Sequence, residues 1–327
     1  MRTGEVGCEL LGTLETLAIL EGREKMRIAI GLNTEGSLNG TIERAKSLRD
    51  LGFTSLWASQ IFGPDTLTVF AVVGREVPEI DLGTAVVPIQ PRHPSMLAAQ
   101  ARTVQEAIGG HLTLGIGLSH QVVVESLWGL PFDRPAGYMH EYLDALMPML
   151  RGETVMAQGE RIKVISMDSV GPKETRVPSV IVAALGPKML ELAGTYTDGT
   201  ALWMTGPKTV ASHIKPLIDE AAAKAGRPTP RIVCGLPVSV TSDVASASAK
   251  MNKELEMYPT LPSYAAMMKR EGAELPSDLA LMGSKQQVLE QLAGLAASGV
   301  TEFNAQVTGT KDEMEATYAA LLEFASK

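Results

Sequence analysis

Leu82-Gly-Thr-Ala-Val-Val87, the segment Ser95–Ile108 and His111-Leu-Thr-Leu-Gly-Ile-Gly117 decide how this chain folds. The first and third runs are short and apolar on both faces, as parallel strands buried between layers must be. The segment between them has helical spacing. Strand, crossover helix and strand make one repeat of an α/β architecture.

The same alternation extends in both directions. Strands are predicted over Arg27–Leu32 and Phe53–Ala58 before it, and over Ser179–Ala184, Gly199–Met204, Arg231–Val240 and Glu302–Val307 after it. Helical patterning covers Thr41–Leu51, Pro187–Ala193, Pro207–Ala225, Ser284–Ala297 and Lys311–Ala325. Eight strand–helix units favour a closed (β/α)8 TIM barrel over an open doubly wound sheet. One barrel domain is expected over 26–327, with 1–25 as an N-terminal extension. Two insertions interrupt the spacing. Thr154–Asp168, after the fourth helix, reads as a hairpin turning at Gln158-Gly159. Met257–Leu281, before the eighth strand, holds Pro259, Pro262, Gly272 and Pro276, and reads either as a lid over the mouth or as a surface loop.

Composition narrows the function. The 327 residues are 45% hydrophobic and 20% charged, with a net charge of −8 and no Lys/Arg run longer than two. Nucleic acid needs a clustered basic face, so it is not an expected partner. Cys8 and Cys234 are the only cysteines, which excludes a disulfide framework and a cysteine-based zinc site. No metal-ligand cluster, G-x-S-x-G elbow or Walker sequence appears. Glycines and polar residues interrupt the longest uncharged stretch, Ala107–Val124, so no membrane span is expected. Glu5, Glu9, Glu15 and Glu21 argue against a secretory signal, and the simplest location is the cytoplasm. Leu10, Leu11, Leu14, Leu17 and Ala18 allow a short amphipathic helix; alternatively, translation starts at Met26.

In such a barrel, chemistry comes from the C-terminal strand ends and the loops after them. Those positions include Asn33, Gln60, Gln90, His120, Lys188 and Thr205, and they are mainly apolar or neutral. A mouth of that kind suits a bulky planar cofactor that brings its own chemistry. Gly186-Pro187-Lys188 and Thr205-Gly206-Pro207-Lys208 each open a helix directly after a strand. Each reads as a phosphate site at a helix N-terminus or as ordinary capping, and two adjacent ones favour a phosphate-bearing cofactor. His120 reads as a proton-transfer group or as a packed ring. Trp203 either flanks a ring system or fills the core.

Taken together, Met26-Arg-Ile-Ala-Ile-Gly-Leu32, Leu51-Gly-Phe-Thr-Ser-Leu-Trp57 and Leu82–Pro88 resemble the bacterial-luciferase-like flavin- and deazaflavin-dependent oxidoreductases. Arg92-His-Pro94, Ala98-Ala-Gln100, His111–Gly117, Ala184-Leu-Gly-Pro-Lys188 and Asp198-Gly199 carry the resemblance onward, and it is strongest to the actinobacterial branch using coenzyme F420. The resemblance implies F420, or FMN as the alternative, in the mouth of the barrel. It also implies a non-proline cis peptide at Ala85–Val86 behind the ring. Cofactor contacts are implied at Gly117, Leu118, Ser119 and His120, and phosphate binding at Leu185, Gly186, Pro187, Lys188 and Met189. Thr205 and Gly206 join these as the second anion segment. Deazaflavin sugar-phosphate dehydrogenases of this family carry Ser-Asp-His after strand two, where this chain has Ser59-Gln60-Ile61, and an acidic residue where it has His120. Their reaction is therefore not expected, and Gln60 is expected at the ring edge. The expected activity is hydride transfer between F420 and a small organic substrate, with His120 as proton partner. The alternatives are an FMNH2-dependent monooxygenase and a non-catalytic cofactor-binding protein. Apolar helix faces and analogy of fold point to a homodimer.

Overall fold

The computed structural model describes residues 25–60 and 62–327. The helix expected near Leu10–Ala18, nearly all of the extension 1–25, and Ile61 lie outside the described residues. Strands β1 (Arg27–Gly31), β2 (Ser55–Ala58), β3 (Asp81–Thr84), β4 (Val87–Pro88) and β5 (Leu112–Gly117) form the first half of the barrel. After the hairpin β6 (Met156–Gln158) and β7 (Lys163–Ile165) come β8 (Ser179–Ala183), β9 (Gly199–Trp203), β10 (Arg231–Val240), β11 (Leu281–Gly283) and β12 (Glu302–Val307). The parallel order β1-β2-β3-β5-β8-β9-β10-β12 closes through β12 onto β1, giving an eight-stranded barrel. The predicted strands therefore stand with small shifts at their ends. The third, read as continuous over Leu82–Val87, is split into β3 and β4 by a cis peptide at Ala85–Val86. Strand β11 was not expected; it pairs with the far end of β10, outside the barrel.

The helices are α1 (Leu38–Asp50), α2 (Thr66–Glu76), α3 (Pro94–Ala107), α4 (Pro135–Leu150), α5 (Pro187–Tyr196), α6 (Pro207–Thr209), α7 (Lys215–Lys224), α8 (Val244–Glu254), α9 (Pro262–Glu271), α10 (Lys285–Ala297) and α11 (Lys311–Ser326). A wider turn over Val210–Ile214 makes α6 and α7 one continuous rod. Their apolar faces pack on the outside of the barrel, where Phe70, Leu97, Tyr142 and Leu292 are fully buried. Ser37, Asp65, Ser284 and Thr310 cap α1, α2, α10 and α11 with side-chain oxygens. None of the described helices is long and apolar enough to cross a membrane.

The barrel interior changes character from bottom to top. At the N-terminal end, buried Glu302 accepts hydrogen bonds from Ser55 Oγ at 2.8 Å, Trp57 Nε1 at 2.8 Å and Arg231 Nη2 at 2.9 Å. A polar recess of about 440 Å³ opens there, lined in part by Arg27, Asp81, His111 and Arg231. It lies at the opposite end from the βα loops, where this fold places structural rather than catalytic residues. The middle is apolar, with Ala29, Trp57, Ile181, Ala201 and Val233 packed together. Gly83 is needed here, because a Cβ on it would lie 2.5 Å from the Trp57 ring. At the top Gly31, Gly117 and Gly235 are covered by Gln306, Val86 and Trp203, and with Ala85 and Ala183 these side chains line the cup at the strand ends.

Candidate active site

The cup is shaped first by the break in strand three. Thr84 Oγ1 accepts from Gly115 N at 2.8 Å and donates to Gly115 O at 2.7 Å, taking the place of ladder bonds. Beyond it, Ala85 N donates to Ala58 O at 2.8 Å, Gln60 N donates to Val86 O at 3.2 Å, and Ile89 N donates to Gly117 O at 3.0 Å. The bulge at Ala85–Val86 is thus held from both neighbouring strands, and β5 makes room for it. A Cβ on Gly115 would lie 1.8 Å from Thr84 O, and one on Gly117 would lie 2.6 Å from Val86 Cγ2. The Gly-Ile-Gly of β5 is therefore a packing requirement of the bulge. It is not a dinucleotide fingerprint.

Gln60 sits at the rim, but its side chain is engaged. Its Oε1 accepts from Arg92 Nη2 at 2.8 Å and from Thr66 N at 3.2 Å. Arg92 also pairs with Asp65 Oδ1 at 2.8 Å, and Gln100 Nε2 reaches Asp65 Oδ2 at 2.8 Å. Burial raises the Asp65 carboxyl, but hydrogen bonds from Thr68 and Arg92 outweigh it and hold the group below its ordinary value. Gln90, two residues after β4, donates to Leu118 O and keeps a buried Oε1 without a partner.

The opposite wall comes from β5 and from the insertion before the last barrel strand. Ser119 has a left-handed backbone (φ 57°), uncommon outside glycine and asparagine, and it turns the chain so that His120 follows at the rim. His120 is partly buried, and burial pushes its imidazole pKa down, so the ring is neutral near pH 7. Its ring lies 5.7 Å from Tyr264, Tyr264 lies 5.0 Å from Tyr258, and Tyr258 lies 5.9 Å from Trp203 at the end of β9. Within Met257–Leu281, α9 and the turn before it set Tyr258 and Tyr264 between His120 and Trp203 at the strand ends. The Trp203 Nε1–H is buried without a hydrogen-bond partner, and burial raises the neighbouring Tyr258 phenol above its ordinary value.

The two Gly-Pro-Lys segments differ in a way their sequences do not suggest. At α5, Gly186 is extended and no side chain caps the helix, while the space beside Gly186 is open. The backbone N–H groups of Lys188 and Met189 therefore point out of the first turn uncapped, with the Lys188 side chain exposed beside them. Leu185 O accepts from His213 Nε2, 2.9 Å away, when that nitrogen carries the proton, which fixes the preceding loop. At α6, by contrast, Glu271 at the end of α9 already accepts from Lys208 N at 3.1 Å and Thr209 N at 2.7 Å. The expectation of a second anion segment at Thr205 and Gly206 is corrected accordingly, because the lid's own carboxylate occupies it. Thr205 Oγ1 instead donates to Trp203 O at 3.1 Å.

The sequence profile of the luciferase-like monooxygenases matches residues 25–302. The chain belongs to this family. Among relatives of the family fold, a protein of Mycobacterium tuberculosis named as a coenzyme F420-dependent oxidoreductase is 26% identical over 286 residues, covering 81% of this chain and 79% of that one. The 5,10-methylenetetrahydromethanopterin reductase of Methanolobus tindarius is 25% identical over 283 residues, covering 85% of each chain. An F420-dependent secondary alcohol dehydrogenase, solved with an F420–acetone adduct, superposes with a TM-score of 0.77 over 92% of this chain and 99% of its own, at 14% identity. That superposition supports the barrel. The structure brings Gln60, Ala85, Val86, Gly117, Leu118, Ser119 and His120 to neighbouring strand ends, with Leu185 and Gly186 on the loop after β8 and Pro187–Met189 in the first turn of α5. Sequence reasoning placed Gln90 among the strand-end positions without a role, and it missed Tyr258, Tyr264 and Glu271. The tyrosines stood in the proline-rich insertion, the only signal for them.

Proposed function

We propose that this protein is an F420-dependent oxidoreductase that exchanges a hydride with a small organic substrate at the mouth of the barrel. The observation that carries the reading is the contrast between the two helix N-termini: α6 is filled by Glu271, whereas α5 is uncapped beside an open glycine. A phosphate there gains backbone N–H donors, the positive helix end and Lys188. The residues of the cup fit a flat heterocycle. Val86 packed over Gly117, with Ala183 beside it, gives such a ring an apolar seat at the strand ends.

In this reading Ala85, Val86, Leu118 and Ser119 hold the ring, Gln60 offers its amide N–H groups to the ring edge, and Leu185–Met189 hold the phosphate. The bound deazaflavin supplies a carbon that gives or takes the hydride. His120 handles the accompanying proton. As a neutral imidazole it accepts one from a substrate hydroxyl being oxidised, and as imidazolium it returns one in the reverse direction. The lid keeps bulk water from the reacting atoms. Exposed Met96, Met156, Ile165 and Met167 motivate a homodimer, which sedimentation velocity would test.

Titration with oxidised F420 and separately with FMN, read by quenching of cofactor fluorescence, tests the proposal. Micromolar F420 binding with much weaker FMN binding is expected. The reverse preference, with oxygen consumption on adding the reduced flavin, would replace this reading with a monooxygenase. Binding of neither would overturn it.

A further inference from the structure

In the chain of rings at the mouth, Tyr258 and Tyr264 have no role in holding the cofactor as described above. We infer that Tyr258 and Tyr264 are specificity-determining residues, and that the substrate half of the site takes flat, uncharged, conjugated molecules such as quinones. The inference rests on the oxidoreductase reading for what happens to such a molecule, but not for its binding.

Three observations carry it. His120, Tyr264, Tyr258 and Trp203 follow one another at 5.7, 5.0 and 5.9 Å, with interplanar angles of 56°, 84° and 62°. Tilted and edge-on contacts of this kind expose ring faces and edges to a planar guest, which gains further aromatic contacts there. Burial raises the Tyr258 and Tyr264 phenols well above neutrality, so both present uncharged surfaces. Lastly, Glu271 at the end of α9 is bound to Lys208 N and Thr209 N, while Lys269 and Arg270 of the same last turn are exposed. The rings themselves carry no fixed charge, so the polar groups of a sugar phosphate or carboxylate set against them would be desolvated without partners.

Glu271 is then the positioning residue of the wall. By closing the α6 N-terminus it fixes the end of α9, and with it the orientation of Tyr264. Buried Met267 and Met268 pack the same helix onto the barrel.

Equilibrium dialysis of menadione, a neutral bicyclic quinone, tests the inference with the protein alone and with oxidised F420 present; glucose 6-phosphate is the charged comparison. Menadione is expected to bind, and Tyr264→Ala and Tyr258→Ala should each weaken it about tenfold, whereas Tyr264→Phe should stay within about twofold, since the ring and not the hydroxyl is used. Glu271→Ala should weaken menadione similarly and speed hydrogen exchange at the Lys208 and Thr209 amides. Unchanged menadione binding in both alanine variants, or tighter binding of glucose 6-phosphate than of menadione, would overturn the inference. If F420 fails to bind the wild type, the proposed function falls, while the menadione comparison without cofactor still decides the nature of the wall.

Discussion

Replacing Glu302 with alanine would remove one acceptor from three donors at once, Ser55 Oγ, Trp57 Nε1 and Arg231 Nη2. Glu302 is 1% exposed, so water cannot take its place without rearrangement. Removing one partner of a buried ion pair costs about 3–5 kcal/mol. A buried Trp57 N–H left without an acceptor adds roughly 1–3 kcal/mol. Arg231 offsets part of this, because its side chain is 30% exposed and Nη1 keeps Thr113 Oγ1 at 3.2 Å and Ser179 Oγ at 3.3 Å. The net expectation is a loss of about 3–4 kcal/mol. Glu302→Gln should lose only about 1–2 kcal/mol, since its carbonyl still accepts from Trp57 and Ser55. Urea unfolding followed by far-UV circular dichroism measures both. The residue lies at the end of the barrel away from the cup, so F420 affinity per folded molecule should be unchanged. An alanine variant within about 1 kcal/mol of wild type would refute the accounting. So would intact stability with weakened cofactor binding.

Other consequences are more local. The acidic limb of the pH profile of kcat/KM should have its midpoint below the ordinary histidine value of 6.5, because burial disfavours the charged His120 ring, and His120→Asn should abolish that limb. The same downward shift means that the His120 contribution to stability is present above 6.5 and is lost as pH falls through the lower folded value, which thermal melts across that window would register. Lys188→Ala should weaken F420 by about three- to tenfold, with a smaller difference at high salt, as titrations at two ionic strengths would show. Cys234 is fully buried, donates to Thr205 O and has its thiol pKa pushed up to about 12, so it should resist iodoacetamide in the native state and react after unfolding, measured by peptide mass.

The barrel was legible because buried parallel strands leave continuous apolar runs, and all eight were found in the sequence. The break inside strand three was not legible from pattern, since Leu82–Val87 is equally apolar on either side of it; only the family resemblance pointed to Ala85–Val86. Gly186-Pro187-Lys188 and Gly206-Pro207-Lys208 look alike in sequence and differ in space, because Glu271 reaches the second from more than sixty residues away. Gln60 was expected at the ring edge, and the engagement of its carbonyl by Arg92 is likewise a long-range pairing that no local spacing reveals. The short β11 escaped notice because three residues carry too little periodicity to stand out beside a loop.

Strand β10 does two jobs along its length. Near its middle Gly235 lies beneath the Trp203 ring, and at its far end Val238, Ser239 and Val240 pair with β11, where the segment bearing Tyr258 and Tyr264 rejoins the sheet. One strand thus supports both the Trp203 contact and the return of the tyrosine segment, so a substitution that shifts β10 against β11 would move both together.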